Sequence, residues 1–244
     1  MIELAADAST LKLQLRANDR YAVIGKSNSG KTSFAARLAI YLKVALMQYN
    51  IANPDMPQWK IVGLDTKMSD DDVELFDAMG QITDNPQKLF IKEQVGRVWQ
   101  PPTERSKRLT KEEIVLASQY IFGEAYERTH VVVYIDEYKS VVVNARDAGS
   151  NLEDIFSRGR GKRVGLIGTT QEPVYVPRQL LSQATHVFLF DLYYPRDIEV
   201  ARELCPEYER PPHPHGFFYL NTDKRHPWVY FENYQMFFQM LQSA

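Results

Sequence analysis

The chain has almost no cysteine. One residue, Cys205, stands among 244, so no disulfide can close within the chain, and a reducing compartment suits it. Followed by Pro206, that thiol reads as a small packing residue rather than a nucleophile. Long apolar runs are also lacking. The best stretch, Phe34 to Met47, is interrupted by Arg37 and Lys43, so the protein is not expected to span a membrane. Excess charge of one sign is missing too, since 29 basic and 31 acidic residues leave a formal charge of −2. That excludes a uniformly basic nucleic-acid coat and leaves room for a local basic loop. There is no repeat and no low-complexity linker, and MIELAADASTLKLQL alternates like a strand instead of showing the charged and apolar regions of a signal peptide.

What is present suffices for one substantial core: 44% of residues are hydrophobic and 12% aromatic. A single α/β domain over residues 1–244 is expected, with edge strands in 1–18 and closing strands plus an aromatic helix in 212–244. Tyr21–Ile24, Lys60–Leu64, Val131–Ile135, Val164–Ile167 and Val187–Phe190 are short apolar runs of the kind that form strands covered on both faces. They alternate with helical patterns, which predicts a mainly parallel sheet with helices on both sides and short antiparallel strands at the edges. Among the helices, Lys31–Tyr49 presents Phe34, Leu38, Leu42 and Ala45 on one face, and Ser69 with Asp72 marks a helix start. Thr110 with Glu113 makes a capping box for a helix to Arg128. GRVWQ at 96–100, GFFYL at 216–220 and WVYF at 228–231 read as further strands, before a helix from Tyr234 to Leu241.

The organising stretch is YAVIGKSNSGKTSF, residues 21–34, in which Gly25, Gly30, Lys31 and Thr32 match G-x-x-x-x-G-K-[ST] without departure. Gly25 and Gly30 are expected to take backbone angles closed to other residues, so that N–H groups of Gly25, Lys26, Ser27, Asn28, Ser29, Gly30, Lys31, Thr32 and Ser33 can face phosphates. The helix beginning near Lys31 adds its partial positive charge. Lys31 is placed to reach β- and γ-phosphates, and the Thr32 hydroxyl to hold Mg²⁺. ATP and Mg²⁺ are the cofactors this implies.

The second signal is Asp136-Glu137, directly after VVVYI. A carboxylate ending a buried strand next to the phosphate-loop strand holds the metal, which assigns Asp136 to Mg²⁺; Glu137 then polarises the attacking water, so the acceptor is water and the activity an ATPase. The third is SRGRGKRVGLIGTTQEP, residues 157–173, whose strand ends in Thr169, Thr170 and Gln171; the glutamine is a candidate sensor of the γ-phosphate. Arg158 and Arg160 belong to its basic run, and Arg160 is the candidate to enter a neighbouring subunit's site, which requires a ring. Arg105, Lys107, Arg108 and Lys111 form a basic loop that either lines a pore or is plain surface. His213, His215 and His226 lack ligand spacing for a metal, and NTDK at 221–224 has the wrong order for guanine reading.

In sum of motif order, the phosphate loop, LDTKMSDDDVELF, IDEY and RGKRVGLIGTTQEP resemble the FtsK/HerA superfamily of hexameric DNA-pumping ATPases. Asp65 and Lys67 match its Asp-Pro-Lys triplet, with Thr66 in place of proline. Arg160, Gly165, Leu166, Ile167, Thr170, Gln171 and Pro173 match the later motif, with Glu172 where arginine is common. The resemblance covers about residues 15–225 and implies a RecA-like P-loop fold of the ASCE type. A bare motor core of this size is similar to the packaging ATPases of tailless, internal-membrane viruses and phages. It implies double-stranded DNA as track, a homo-oligomeric ring, a hexamer in that family, and docking on a capsid vertex or portal and internal-membrane proteins. Localisation in host cytoplasm and at the packaging vertex of the virion follows. The rival readings are a membrane-associated motor for phage assembly or secretion, and a non-hydrolysing nucleotide switch docking through Tyr230–Phe238.

Overall fold

The apolar runs become the centre of one sheet. In the computed structural model, which describes residues 15–67, 73–91, 94–104, 107–224 and 228–243, they are β1 (Arg20–Ile24), β2 (Lys60–Leu64), β5 (Val131–Ile135), β6 (Val164–Thr170) and β7 (His186–Leu189). Added to them are β3 (Gln81–Thr83), β4 (Gly96–Trp99), β8 (Phe217–Asn221) and β9 (Val229–Phe231). The order is β3-β4-β2-β5-β6-β1-β7-β8-β9. The first seven in that row are parallel, and β8 and β9 close the sheet antiparallel. Fold class and the antiparallel closure are therefore as expected, and the architecture is a RecA-like α/β sheet.

One neighbour relation differs. The strand ending in Asp136 does not lie beside β1; β6 stands between them, paired with β5 from Val131↔Val164 and with β1 from Arg20↔Leu166. A parallel crossover through a helix returns the chain to any nearby slot, so chain order carries no neighbour order. Of the edge strands expected in residues 1–18, residues 15–18 form no strand but a turn leading into β1, and residues 1–14, like the helix start at Ser69 and Asp72, lie outside the described residues.

Helices cover both faces. Alternation along β1 sends Ala22 and Ile24 into one core with α3 (Lys111–Arg128) and α5 (Ser150–Arg158), and Tyr21 and Val23 into the other with α1 (Lys31–Ala52). In α1 the apolar stripe runs Phe34, Leu38, Leu42, Leu46; Ala45 is exposed, because steps of four residues keep the stripe over the sheet and Ala45 falls off it. Phe34 packs against Phe188, Phe190 and Phe217, and against Phe237 of α8 (Tyr234–Ser243), with ring centroids 4.7–5.6 Å apart. This binds the phosphate-loop helix to the last helix through a single aromatic cluster. The capping box of α3 forms in full, Glu113 N–H donating to Thr110 Oγ1 and Thr110 N–H to Glu113 Oε2. Among the described residues no helix is long and apolar enough to cross a membrane.

Candidate nucleotide site

Parallel strands point all their carboxyl ends one way, so loops leaving β1, β2, β5, β6 and β7 share one edge of the sheet. The phosphate loop rises there between two neighbours. Gly25 N–H donates to Thr170 O at 3.0 Å and Lys26 N–H to Asp191 O at 2.8 Å. Asn28 and Gly30 take left-handed angles, φ 60° and 88°, and α1 starts at Lys31 with no side chain capping it. Its first N–H groups are thus left to a ligand. Gly25 does not take a positive φ; its lack of a side chain serves space, since a Cβ would sit 2.5 Å from that of Phe190. Ser27 and Asn28 are exposed, Lys26, Thr32 and Ser33 half-buried, and Lys31 and Ser29 buried.

The loop is braced from the β7 side by charge. Lys26 Nζ lies 2.6 Å from Asp191 Oδ2, and Arg210 grips the same carboxylate at 2.8 and 2.9 Å. The Arg210 hydrogen bond first, then burial working against it, then the Lys26 bond, leave the Asp191 carboxyl below its ordinary range.

On the other side stand the acids. Asp136 is fully buried, and its Oδ1 lies 3.4 Å from each of the Tyr134 hydroxyl, Thr169 Oγ1 and Lys67 Nζ. Glu137 is 7% exposed and held at φ 121°, a sparsely populated backbone region. The next residue, Tyr138, is buried with the hydroxyl end of its ring against Gly168, where an added Cβ would sit 2.0 Å from Tyr138 Cζ. Glu137 Oε2 accepts from Gln171 N–H at 3.1 Å and lies 3.9 Å from Lys67 Nζ. Its Oε1 is buried with no hydrogen-bond partner among the described residues, a lone acceptor at the place where a water would be polarised. Gln171 closes the circuit, its Oε1 accepting from Ser27 Oγ at 2.7 Å. So phosphate loop, Gln171 and Glu137 meet as expected, and Lys67 joins them. The sequence names Lys67 only as a motif match; its role at the acids becomes visible once β2 is known to pair with β5.

Arg158 and Arg160 are not brought to this site. They precede β6 and so lie at the opposite, amino edge of the sheet. Arg160 binds Asp223 at 2.5 Å and approaches Asp19 at 3.5 Å, and Arg158 pairs with Asp154 at 3.0 Å. Neither arginine can serve the phosphate loop of its own chain. Asp223 of NTDK is thus a partner of Arg160. In the basic loop, Lys107 pairs with Glu104 at the surface, and Lys107 also helps wall a polar groove of about 660 Å³ with Lys88, Arg97 and Gln100; Arg105 lies outside the described residues. Cys205 is buried and its thiol is pushed up to about 12, by burial first and by the Glu207 charge second, as suits a packing residue.

The residues fit Mg²⁺. A hydroxyl at the start of α1, Thr32, and a buried carboxylate ending β5, Asp136, are hard oxygen donors. Among the described residues no three His, Cys, Asp or Glu group as a protein-only metal cage. A cation here therefore needs phosphate oxygens and water to complete its shell.

Fold and motif together define a RecA-like P-loop nucleotide site. No protein-family model and no curated protein matches the chain in sequence. Solved structures do match in fold. The genome packaging NTPase B204 from Sulfolobus turreted icosahedral virus 2, in complex with ATP-gammaS, aligns at TM-score 0.62 and 13% identity over 90% of this chain and 99% of that one. B204, the DNA-packaging ATPase from Sulfolobus turreted icosahedral virus, aligns at TM-score 0.58 and 13% identity over 88% and 98%. The chain shares the fold of these packaging enzymes along nearly its whole length, as the resemblance in its motifs implies.

Proposed function

We propose that the chain is an ATPase that drives double-stranded DNA into a preformed capsid as one subunit of a ring. The observation that carries the hydrolytic part is the bridge Ser27–Gln171–Glu137, which ties phosphate loop, sensor and base into one hydrogen-bonded path. The packaging part is supported by the fold shared with the two B204 enzymes and by the motif order.

Phosphates settle on N–H groups of residues 27, 28 and 30–33, those of Gly25 and Lys26 being already bonded to Thr170 O and Asp191 O and that of Ser29 to Lys26 O, and the buried Lys31 ammonium draws charge from the β- and γ-phosphates. Thr32 and Asp136 would hold Mg²⁺, which would supply charge neutralisation at the phosphates. Glu137 accepts a hydrogen bond from the attacking water on its vacant Oε1. As the water oxygen bonds to the γ-phosphorus, the bond to the bridging β-oxygen breaks, ADP leaves, and the water proton passes to Glu137. Gln171, fixed to both Glu137 and Ser27, then changes partners when the γ-phosphate goes, and the same strand, β6, runs back to Arg160 at the far edge. DNA is held by phosphate contacts without base reading, a reading supported by the basic side chains of Lys88, Arg97 and Lys107 among those that wall the groove.

The test is ATP turnover in Mg²⁺ with and without long double-stranded DNA, next to a mass measurement in solution. Stimulation by double-stranded but not single-stranded polymer, with a ring-sized mass, supports packaging. Tight binding with no turnover even with DNA overturns it in favour of a switch. Lys31→Ala is expected to abolish nucleotide binding.

A further inference from the structure

A P-x-P-H-G turn, residues 212–216, leads into β8. It carries two histidines and sends them opposite ways. Gly216 N–H donates to His213 O at 3.0 Å, closing a turn in which His215 takes φ 64°. His213 lies along β9, its ring stacked 6.4 Å from that of Tyr230 and its Nε2 3.9 Å from Glu232. His215 is thrown to the other side, over the phosphate loop: a Cβ on Gly30 would lie 2.8 Å from His215 Nδ1. The ring is nonetheless exposed. A side chain that covers the loop and still faces solvent is open to a ligand lying on that loop.

Which part of the ligand meets it follows from topology. Glu137 and Gln171, which face the terminal phosphate, end β5 and β6 on one side of β1. A triphosphate laid across the loop with its γ end toward them has its nucleoside end on the other side of β1, where β7 ends and β8 begins, strands being about 4.8 Å apart. Because β8 is antiparallel, its first residue and the turn before it stand at the same edge as the phosphate loop. Two more groups gather there. Arg210 is anchored on Asp191, and Tyr193, beside Arg210 and 65% exposed, presents an aromatic ring.

We propose that His215 contacts the nucleoside of the bound nucleotide and so makes this site select a nucleoside triphosphate over bare polyphosphate. The proposal rests on the nucleotide-binding reading above. The imidazole offers a hydrogen-bonding edge for the ribose and a flat face for the base, and it is pre-placed by the turn, so little ordering cost is added on binding.

Calorimetric titration of the full chain in Mg²⁺ with ATP and, separately, with inorganic tripolyphosphate tests it. Wild type is expected to prefer ATP. His215→Ala should weaken ATP about tenfold and leave tripolyphosphate unchanged, while His215→Phe, which keeps a flat ring, should restore part of the preference. Equal weakening of both ligands would mean that His215 only props the Gly30 turn, and no change in either that it does not touch the nucleotide; both outcomes overturn the proposal and spare the ATPase reading. Failure of wild type to bind either ligand overturns the nucleotide reading and the proposal with it.

Discussion

The two edges of the sheet treat charge in opposite ways. At the carboxyl edge, Glu137 is buried at φ 121° with one oxygen lacking a hydrogen bond among the described residues, and Ser29 Oγ and Thr66 Oγ1 are likewise buried without one. Such orphans cost stability and persist where a ligand completes them. At the amino edge, the Arg160 guanidinium is already seated on Asp223 and Asp19, and His186 Nε2 is 3.1 Å from the same Asp19. The carboxyl edge leaves its catalytic acid open, whereas the amino edge holds its arginine on carboxylates, although Asp19 Oδ1 and Arg20 Nε are buried there without a hydrogen bond among the described residues. A ring in which each amino-edge arginine serves the neighbouring carboxyl edge would therefore require Arg160 to leave its own partners.

The largest effect should come from breaking that relation. Arg160→Ala should lower turnover of the assembled protein by about 10³, the lower end for a trans-acting arginine, while ATP binding to the isolated chain stays unchanged. Glu137→Gln should retain binding and lose about 10² or more in rate. Mixing the two variants should recover activity, because a ring then contains interfaces with an intact arginine facing an intact glutamate. A mixture no more active than the sum of its parts, read in a steady-state assay, would confine Arg160 to holding the amino edge together.

How much of this was legible beforehand follows the same division. The phosphate loop, the strand before Asp136 and the capping box of α3 are local patterns, a glycine spacing, a β-branched run and a Thr-x-x-Glu, and the structure reproduces each within a residue or two. β3 has only Gln81, Ile82 and Thr83, too short to show a period, and α5 buries just Leu152, Ile155 and Phe156 in nine residues. Neither rises above its surroundings. The slot of β6 between β5 and β1, the placing of Lys67 on the acids and that of His215 on Gly30 are all relations between distant segments. No spacing in the chain encodes them.

A middle-sized effect separates the phosphate loop from its brace. Asp191→Asn keeps the shape of the side chain and removes the charge that holds Lys26 and Arg210. ATP affinity should fall about tenfold, since a loop that must be ordered on binding wastes part of the contact energy, and kcat at saturating ATP should change less. The same group fixes an acid limit. Its folded pKa is depressed, so its stabilising contribution is complete above the ordinary carboxylate pKa of about 3.9 and is lost as pH falls through the lower folded value. Acid unfolding of Asp191→Asn followed by circular dichroism should accordingly be less steep than that of wild type below about pH 4; superimposable curves would remove Asp191 from the brace.

The smallest expected effect is the sharpest for the comparison. Asp223 and Arg160 form a half-exposed pair, with side chains 45% and 35% accessible, and pairs of this kind are worth at most about 1 kcal/mol. Asp223→Asn should thus shift the midpoint of urea unfolding only slightly. Its effect on turnover, however, depends on where the arginine works. If Arg160 must give up Asp223 to reach across an interface, freeing it lowers the cost of the exchange, and the assembled variant should hydrolyse ATP as fast as wild type or faster. If Arg160 acts only where it now sits, removing its principal partner loosens the segment before β6, and turnover should fall along with stability. Steady-state rates of the assembled variant, measured beside its unfolding midpoint, separate the two, because only an arginine that travels couples a weaker pair to a faster enzyme.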